Sequence, residues 1–431
     1  MLRPCIVLLC CGVAGAGDER YADDLRHLTT LLETHWSWLD MRRAEGVDLA
    51  ALEREALALA AAEPGERGFL RALTRYVAGL RDGHAWVQVE GVDLVEPRRW
   101  PFSLVEVREG VMVDGIDPAT FRSKALQRGD LVLEVDGTPI DDAIRAQEAF
   151  VFASTPAARR RKAIFRLTES ATGAEIALRV RPMGGAEDVV VRLPCPARDA
   201  PVPRYAWRHF PEKLEDLDAD TAYYCPGNFS PGDAGFAAAD PATRERMLQP
   251  RYDALAKAFE TIAARKRLVL DMRGNPGGTD LLGQALARHL VAPPVPYFSL
   301  ASRKDGAWTR TSLIHADAGR GAPRFDGPVA CLIDEETFSV ADNFAACLRD
   351  THPDVTFVGR PTGGGSGAPR TFTLPATKAR VTFCTMRVWA PKGEIVEGNG
   401  VKPDVDVVPT RAQVLAGDDA VLEAALAALH R

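Results

Sequence analysis

The spacing of apolar residues divides the chain into a helical beginning and a mixed remainder. From Tyr21 to about Leu80 apolar residues recur every three or four positions, which is typical of helices. The first stripe comprises Leu25, Leu28, Leu32, Trp36 and Leu39, and the third comprises Phe69, Leu70, Leu73, Val77 and Leu80. Between them Asp48 can cap a helix that runs to about Ala62. We expect a helical N-terminal region within residues 17–92.

Alternating and turn-rich patterns follow this region. From about residue 97 to 194 short strands are separated by turns, most clearly in Ala125–Ile140, ALQRGDLVLEVDGTPI. Its turns at Gly129-Asp130 and Asp136-Gly137 flank one strand. The segment is similar to the strand-turn signature of PDZ domains, which bind peptide termini by adding a strand to a sheet edge. We therefore expect a PDZ-like domain over residues 97–194.

Strands alternate with helices in the remaining part, residues 204–431. Strands are predicted at Thr221–Cys225, Leu268–Met272, Val329–Ile333 and around Arg380–Arg387, and helices at Tyr252–Ala264, Asp280–Leu290 and after Ser339. This order predicts an α/β domain with a largely parallel sheet, whose functional site lies in loops at the strand ends.

Composition narrows the possible functions. A chain of 431 residues is long enough for two or three domains. Its formal charge of -6 and the absence of a basic run give no support for nucleic-acid binding. The sequence leaves the oligomeric state open.

The first residues have the pattern of an export signal. A positively charged start is followed by an apolar run from Pro4 to Val13 and by the small residues Ala14-Gly15-Ala16. We expect a signal peptide over residues 1–16 and a periplasmic or secreted protein. Lipid anchoring through Cys10 or Cys11 ranks second, since neither follows a small residue. No later segment is apolar enough to cross a membrane.

Five cysteines remain after the leader: Cys195, Cys225, Cys331, Cys347 and Cys384. Their number is odd and their spacing has no pattern, so neither a disulfide framework nor a metal site is predicted. We expect buried thiols with at most one or two bridges. No cofactor is predicted either.

Ser339 lies where the strand Val329–Ile333 gives way to a helix. A hydroxyl there is close to backbone N–H groups that have no intrahelical partner, and these groups could stabilise an oxyanion. The simpler interpretation is a helix N-cap, a common role for serine. His84 is the histidine to note, because it follows Gly83 at a turn where catalytic groups are often placed. A solvated turn histidine is the alternative.

LVLDMRGNPGG, Leu268–Gly278, is the most specific motif of the chain. Its glycines and proline follow a predicted buried strand, so backbone N–H groups can approach a ligand closely. The loop has neither the GxGxxG spacing nor the Gly-Lys-Ser/Thr ending of nucleotide-binding loops.

Four motifs occur in the order seen in the S41 serine peptidases: LVLDMRGNPGG, TFSVADNFA, VGRPTGGG and EGNGVKPDV. The chain resembles this family, which includes the tail-specific C-terminal processing peptidases, the tricorn core protease and the interphotoreceptor retinoid-binding protein. The resemblance implies a crotonase/Clp-protease-like catalytic domain, preceded by a helical region and a PDZ-like domain. It also implies that Ser339 is the nucleophile. The oxyanion hole would be formed by the amides of Val340 and of Gly277 or Gly278.

The general base separates two branches of the family. Tail-specific members have a lysine in the glycine-rich turn, where this chain has Gly365. The tricorn-like branch uses a histidine, which matches His84, and a late glutamate, which matches Glu397 with Glu394 as the near alternative. The tricorn enzyme also has a serine before its histidine. Here that position is Gly83, so a helper hydroxyl would come from elsewhere, with Ser366 as one candidate.

Two functions follow from this resemblance. The first is an exported serine endopeptidase that hydrolyses unstructured or C-terminal polypeptide segments with a serine nucleophile and a histidine base. The second is a non-catalytic protein of the same fold that binds an apolar ligand or a peptide, as the retinoid-binding relatives do. The joint presence of the serine, the histidine and the glycine turn favours the enzyme.

Overall fold

The computed structural model describes residues 19–94, 96–169, 171, 173–185, 187–198, 211–304, 306–309, 312–316 and 323–430. The expected signal peptide, residues 1–16, lies outside the described residues. So do residues 199–210, near the boundary between the two later expected domains.

The N-terminal region is helical, as its apolar stripes predict. Its elements are α1 (Glu19–His35), α2 (Leu39–Ala44), α3 (Leu49–Ala62), α4 (Glu66–Gly79) and the short strand β1 (Trp86–Gln88). Asp48 caps α3, since its carboxylate accepts hydrogen bonds from the N–H groups of Ala50 and Ala51. The core of these helices also contains Leu374, Val381 and Phe383 from the far end of the chain. The region therefore packs on later strands as one body with them.

An antiparallel sheet with two covering helices follows. Its elements are β2 (Phe102–Val107), β3 (Gly110–Ile116), α5 (Pro118–Ser123), β4 (Leu131–Val135), β5 (Thr138–Pro139), α6 (Ile140–Glu148), α7 (Pro156–Glu169), β6 (Glu175–Arg181) and β7 (Val189–Pro194). The strand order is β2-β3-β4-β6-β7, with β5 paired to β4. The predicted turn at Asp136-Gly137 has positive φ angles at both residues, 47° and 78°. This compact sheet has its own apolar core.

The last region has a six-stranded sheet in the order β19-β15-β14-β10-β9-β8. All neighbouring pairs in it are parallel except β8 with β9. The elements from its start are β8 (Lys213–Asp216), β9 (Thr221–Cys225), α8 (Pro241–Ile262), β10 (Arg267–Asp271), α9 (Asp280–Arg288), β11 (Val295–Lys304), β12 (Ala307–Trp308), β13 (Ser312–Ala316), β14 (Val329–Ile333), α10 (Val340–Thr351), β15 (Val355–Gly359), β16 (Pro369–Thr373), β17 (Arg380–Cys384), β18 (Met386–Trp389), β19 (Val405–Asp406), α11 (Arg411–Ala416) and α12 (Ala420–Leu429). The α/β class with a largely parallel sheet is confirmed.

Helices cover both faces of this sheet. Helices α8, α9 and α10 pack on one face and α12 on the other. Strands β9, β10 and β14 are therefore enclosed, which explains their continuous apolar runs. Two smaller sheets complete the region, one with β11, β12, β13 and β18 and one in the order β1-β17-β16. Through the latter, the N-terminal region joins the last region by backbone pairing.

None of the helices in the described ranges combines the length and the apolar composition needed to cross a membrane. Cysteines Cys195, Cys225, Cys331, Cys347 and Cys384 are all free and buried, so the expected burial is observed without a bridge.

Candidate active site

The loops after two neighbouring parallel strands meet at one edge of the large sheet. Strand β10 leads into the RGNPGG loop and β14 leads to Ser339, and the two strands are paired directly. The Phe338 N–H donates to the Asn275 carbonyl at 2.9 Å, and the Thr337 hydroxyl donates to the Met272 carbonyl at 2.9 Å. These bonds fix the serine turn against the glycine loop.

Ser339 has a strained backbone conformation. Its φ and ψ are 61° and -118°, whereas an N-cap residue has an extended backbone. Positive φ is uncommon for residues other than glycine and is often associated with function. The Ser339 Oγ lies 2.9 Å from Nε2 of His84, although 255 positions separate the two residues. The backbone thus aims the hydroxyl at the predicted base, which the simple cap interpretation does not explain.

His84 is held in its turn by a buried carboxylate. Asp82 accepts hydrogen bonds from the His84 N–H at 3.0 Å, the Trp36 indole N–H at 3.0 Å and the Cys384 N–H at 2.9 Å. Directly after His84, β1 pairs with β17 in antiparallel register. The turn is therefore anchored both to the N-terminal helices and to the last region.

The environment of His84 favours the neutral imidazole. Burial lowers its pKa to about 4; Asp82 opposes this shift, and the positive charge of Lys162 adds to it. The ring Nδ1 lies 3.6 Å from Sγ of Cys384. With the proton on Nδ1, Nε2 presents a lone pair to the Ser339 hydroxyl at neutral pH.

The predicted oxyanion-hole residues surround Ser339. A Cβ at Gly277, whose φ is 88°, would lie 2.7 Å from both the Phe338 carbonyl oxygen and the Val340 nitrogen, so only glycine fits there. The Gly277 N–H already donates to the Asn275 side chain at 2.9 Å. Among the described residues no acceptor is found for the N–H groups of Gly278 and Val340. These two amides are the ones available to a ligand.

Glu397 is fully buried, and it contacts the histidine turn through other residues. Its Oε1 accepts from the Ser154 hydroxyl at 2.6 Å and from Arg42 at 3.2 Å, and its Oε2 accepts from the Ser366 N–H at 2.9 Å. Within the described part of the chain no hydrogen bond joins it to the imidazole. Burial raises the pKa of Glu397 to about 8, with Asp82 acting in the same direction and Arg42 opposing. The alternative, Glu394, is exposed at the surface.

A second hydroxyl, that of Ser154, hydrogen-bonds to the backbone of the histidine turn. Its Oγ accepts a hydrogen bond from the Gly83 N–H at 2.7 Å. Ser366, the candidate taken from the sequence, instead donates to the Asn343 side chain at 2.7 Å. Ser154 lies in a different region of the chain from both His84 and Glu397, and no motif surrounds it, so it could not be found from the sequence.

The glycine-rich turn 363–365 has a different function from the one its tail-specific counterpart suggests. The ring of Phe338 fills the space beside Gly365: a Cβ there would lie 1.9 Å from a ring carbon. Asp342 ties the turn to Ser339, since it accepts from the N–H groups of Ser339, Gly364 and Gly365 at 3.1, 3.2 and 3.0 Å. Its position three residues after Ser339 is the sequence signal of a capping carboxylate, and it could have been found that way.

Asp82, His84 and Cys384 place three potential metal-ligand atoms within 4.8 Å of one another. The Asp82 carboxylate already accepts three N–H groups. A metal ion would have to displace these bonds, so the cluster is better explained as the support of the histidine.

Comparison with known proteins finds a family match over part of the chain. Residues 245–407 match the model of peptidase family S41. A "Probable CtpA-like serine protease" of Staphylococcus aureus (strain bovine RF122 / ET3-1) is 27% identical over 179 residues, covering 39% of this chain and 34% of the relative. The corresponding protein of Staphylococcus epidermidis is 24% identical over 152 residues, covering 35% of this chain and 29% of the relative. The chain thus spans about a third of the length of the curated relatives it matches.

Solved structures extend the likeness in fold to nearly the whole chain. Mature CPAF complexed with lactacystin superposes with a TM-score of 0.75 at 17% identity, covering 95% of this chain and 97% of that one. Mature CPAF alone gives a TM-score of 0.75 at 18% identity, covering 95% and 96%. The resemblance carried by the four sequence motifs is therefore confirmed: residues 245–407 are similar to peptidase family S41, and the likeness in fold extends over nearly the whole chain.

Proposed function

We propose that the protein is a serine endopeptidase that hydrolyses peptide bonds with Ser339 as nucleophile and His84 as general base. The distance of 2.9 Å between Ser339 Oγ and His84 Nε2 is the observation that carries this proposal. The named CtpA-like relatives and the S41 family match support the same activity. A serine beside a neutral histidine and open backbone amides has the parts that acyl transfer requires.

The reaction follows from these positions. His84 Nε2 takes the hydroxyl proton as Oγ attacks the scissile carbonyl carbon, and the negative charge that develops on the carbonyl oxygen is stabilised by the Val340 and Gly278 N–H groups. The imidazolium then gives its proton to the leaving amine, and an acyl-Ser339 ester remains. Water, deprotonated by His84, hydrolyses that ester and regenerates the serine. Glu397 acts as the acid that supports the histidine turn.

An apolar pocket next to the serine turn indicates which substrates fit. Its volume is about 230 Å³, and it lies between α7 and the loops that carry Pro276 and Phe338. Ala153, Ala158 and Gly363 contribute to its wall, and Lys162, Glu335 and Glu336 bring charge to it. We propose that it takes an apolar side chain of an extended substrate. Unstructured or C-terminal segments can enter such a site because they need no unfolding.

The proposal includes export and presentation of the substrate. The apolar run of residues 4–13 and the small residues after it support export to the periplasm or the medium. Anchoring through Cys10 or Cys11 is the second possibility. The sheet of β2–β7 has exposed Val189 and Val190 on its edge strand β7. A PDZ-like role for this sheet would deliver peptide ends to Ser339.

Proteolysis of unfolded casein tests the activity. We expect the wild-type protein without residues 1–16 to degrade casein. Ser339→Ala and His84→Ala should each lower kcat by at least about 10⁴-fold, because nucleophile and base act as one unit. Ser230→Ala and His315→Ala, which change an exposed serine and an exposed histidine, should retain the wild-type rate.

The same set of proteins can refute the proposal. Degradation by Ser339→Ala at the wild-type rate would exclude Ser339 as nucleophile. Stoichiometric labelling of Ser339 by a serine-directed phosphonate, lost in His84→Ala, would support it without dependence on the choice of substrate.

A further inference from the structure

Ser154 lies in the segment that precedes α7 and is 3% exposed. Its hydroxyl donates to Glu397 Oε1 at 2.6 Å and accepts from the Gly83 N–H at 2.7 Å. The bond to Glu397 is short and is enclosed between two buried side chains. Ser154 thus bridges Glu397 and the peptide next to His84.

The histidine turn is shaped to receive this hydroxyl. A Cβ at Gly83 would lie 2.5 Å from Ser154 Oγ, so any side chain at position 83 would displace the bridge. The φ of Gly83 is not in the left-handed region, since it is absent from the positive-φ glycines of the described chain. Glycine at this position is therefore explained by the space that Ser154 and the Phe338 ring need.

Glu397 holds the turn from a second side as well. Arg42 donates through Nη2 both to Glu397 Oε1 at 3.2 Å and to the Arg81 carbonyl at 2.7 Å. The carboxylate is thereby connected to the backbone just before His84 at two points, Arg81 through Arg42 and Gly83 through Ser154. No direct contact with the imidazole is needed for it to fix the ring.

We propose that Ser154 is a positioning residue: through its two hydrogen bonds, the buried Glu397 fixes the position of the His84 turn. This inference rests on the proposed role of His84 as base. By this inference, a residue of the β2–β7 region helps to position the general base. Loss of the bridge would free the Gly83 peptide, and a base misplaced by 1 Å can cost about 100-fold in rate.

Kinetics of Ser154→Ala test the role. We expect kcat to fall by about 10- to 100-fold and KM to change by less than about twofold, because the substrate site is untouched. Thr155→Ala is the matched control: Thr155 is a neighbouring buried hydroxyl that accepts the Ala158 N–H and has no bond to Glu397. Wild-type kcat in Ser154→Ala, or an equal loss in Thr155→Ala, would overturn the proposal.

A second measurement does not depend on peptidase activity. NMR of ¹⁵N-labelled imidazoles should show displaced and broadened His84 resonances in Ser154→Ala and unchanged ones in Thr155→Ala. Ser154→Cys, which keeps the volume but donates weakly, should show the same displacement and secures the test if Ser154→Ala unfolds. Unchanged His84 resonances would refute the bridge. Displaced resonances in an enzyme without any peptidase activity would refute the proposed function alone.

Discussion

Lys162 is one of the charged side chains that affect the pKa of His84, and with it the acid limb of the pH profile. Its Nζ donates to the Phe152 carbonyl at 2.7 Å and lies 5.4 Å from the centre of the Phe338 ring, which in turn lies against His84. Burial is the main reason for the His84 pKa of about 4, and the Lys162 charge lowers that pKa further. The base must be neutral to act, so activity should persist well below pH 6.5 and be lost as the pH falls through about 4.

Lys162→Met should move this limb to higher pH. Removal of the positive charge removes one cause that lowers the His84 pKa, so the acid limb of kcat/KM should rise by about half a pH unit. Lys162→Arg keeps the charge and should leave the limb near its original position. The pH dependence of kcat/KM measures both, and a limb that stays fixed in Lys162→Met would contradict the electrostatic coupling.

The candidate catalytic residues could be predicted from the sequence, but the residues that support the histidine could not. The motifs led to Ser339, His84 and Glu397 because each belongs to a short local pattern, and the structure brings Ser339 and His84 within 2.9 Å. Their roles remain predictions. The support of the histidine was not predictable, since Ser154 has no motif and meets Glu397 across 243 positions. Hydrogen bonds between distant residues leave no pattern in a single sequence.

At the scale of elements, the glycine-rich turn serves to admit an aromatic ring. Cβ atoms at Gly83, Gly363 and Gly365 would lie 2.8, 2.8 and 1.9 Å from carbons of the Phe338 ring. The family resemblance predicts that Gly365 stands where tail-specific members have a lysine. It could not show that Phe338 takes the space.

Gly365→Ala should therefore destabilise the protein and impair catalysis. The added Cβ forces the Phe338 ring to move, and overpacking of this kind costs about 1–3 kcal/mol of the free energy of unfolding. The displaced ring would press on His84 and lower kcat. Gly235→Ala is the control, because its Cβ would approach only the Asp233 carboxylate, at 3.2 Å.

Substitutions of Gly365 also test whether the general base is a histidine, as in the tricorn-like branch, or a lysine, as in the tail-specific branch. We expect Gly365→Lys to be no more active than Gly365→Ala, and the double variant Gly365→Lys/His84→Ala to be inactive. Casein degradation by that double variant would show that a serine-lysine pair can form here despite Phe338.

At the scale of the whole molecule, Asp24 joins the first helix to the last region. It is fully buried, and its carboxylate accepts from the Ala376 N–H at 2.9 Å, the Thr377 N–H at 2.7 Å and the Thr377 hydroxyl at 2.6 Å. The apolar periodicity correctly predicted that the N-terminal region is helical. Its union with β16 and β17 could not be predicted, because apolar periodicity shows which face is buried but not what covers it.

Asp24→Ala should reduce the free energy of unfolding by about 2–3 kcal/mol, since it leaves three half-buried donors without an acceptor. Chemical denaturation measures the loss. The neighbouring Asp23→Ala should cost less than about 1 kcal/mol, because Asp23 is 61% exposed and pairs only with Arg26 at the surface. Equal losses in the two variants would mean that the helix is not tied to the last region through Asp24.

The large separation between His84 and Ser339 also has a consequence for synthesis. The ribosome makes the histidine turn first and must add 255 further residues before the serine exists. The carboxylate that braces the turn comes later still, at residue 397. An interrupted or growing chain therefore carries a histidine without its nucleophile, or both without their support. Ser339, His84 and Glu397 are therefore present together only after residue 397 has been translated.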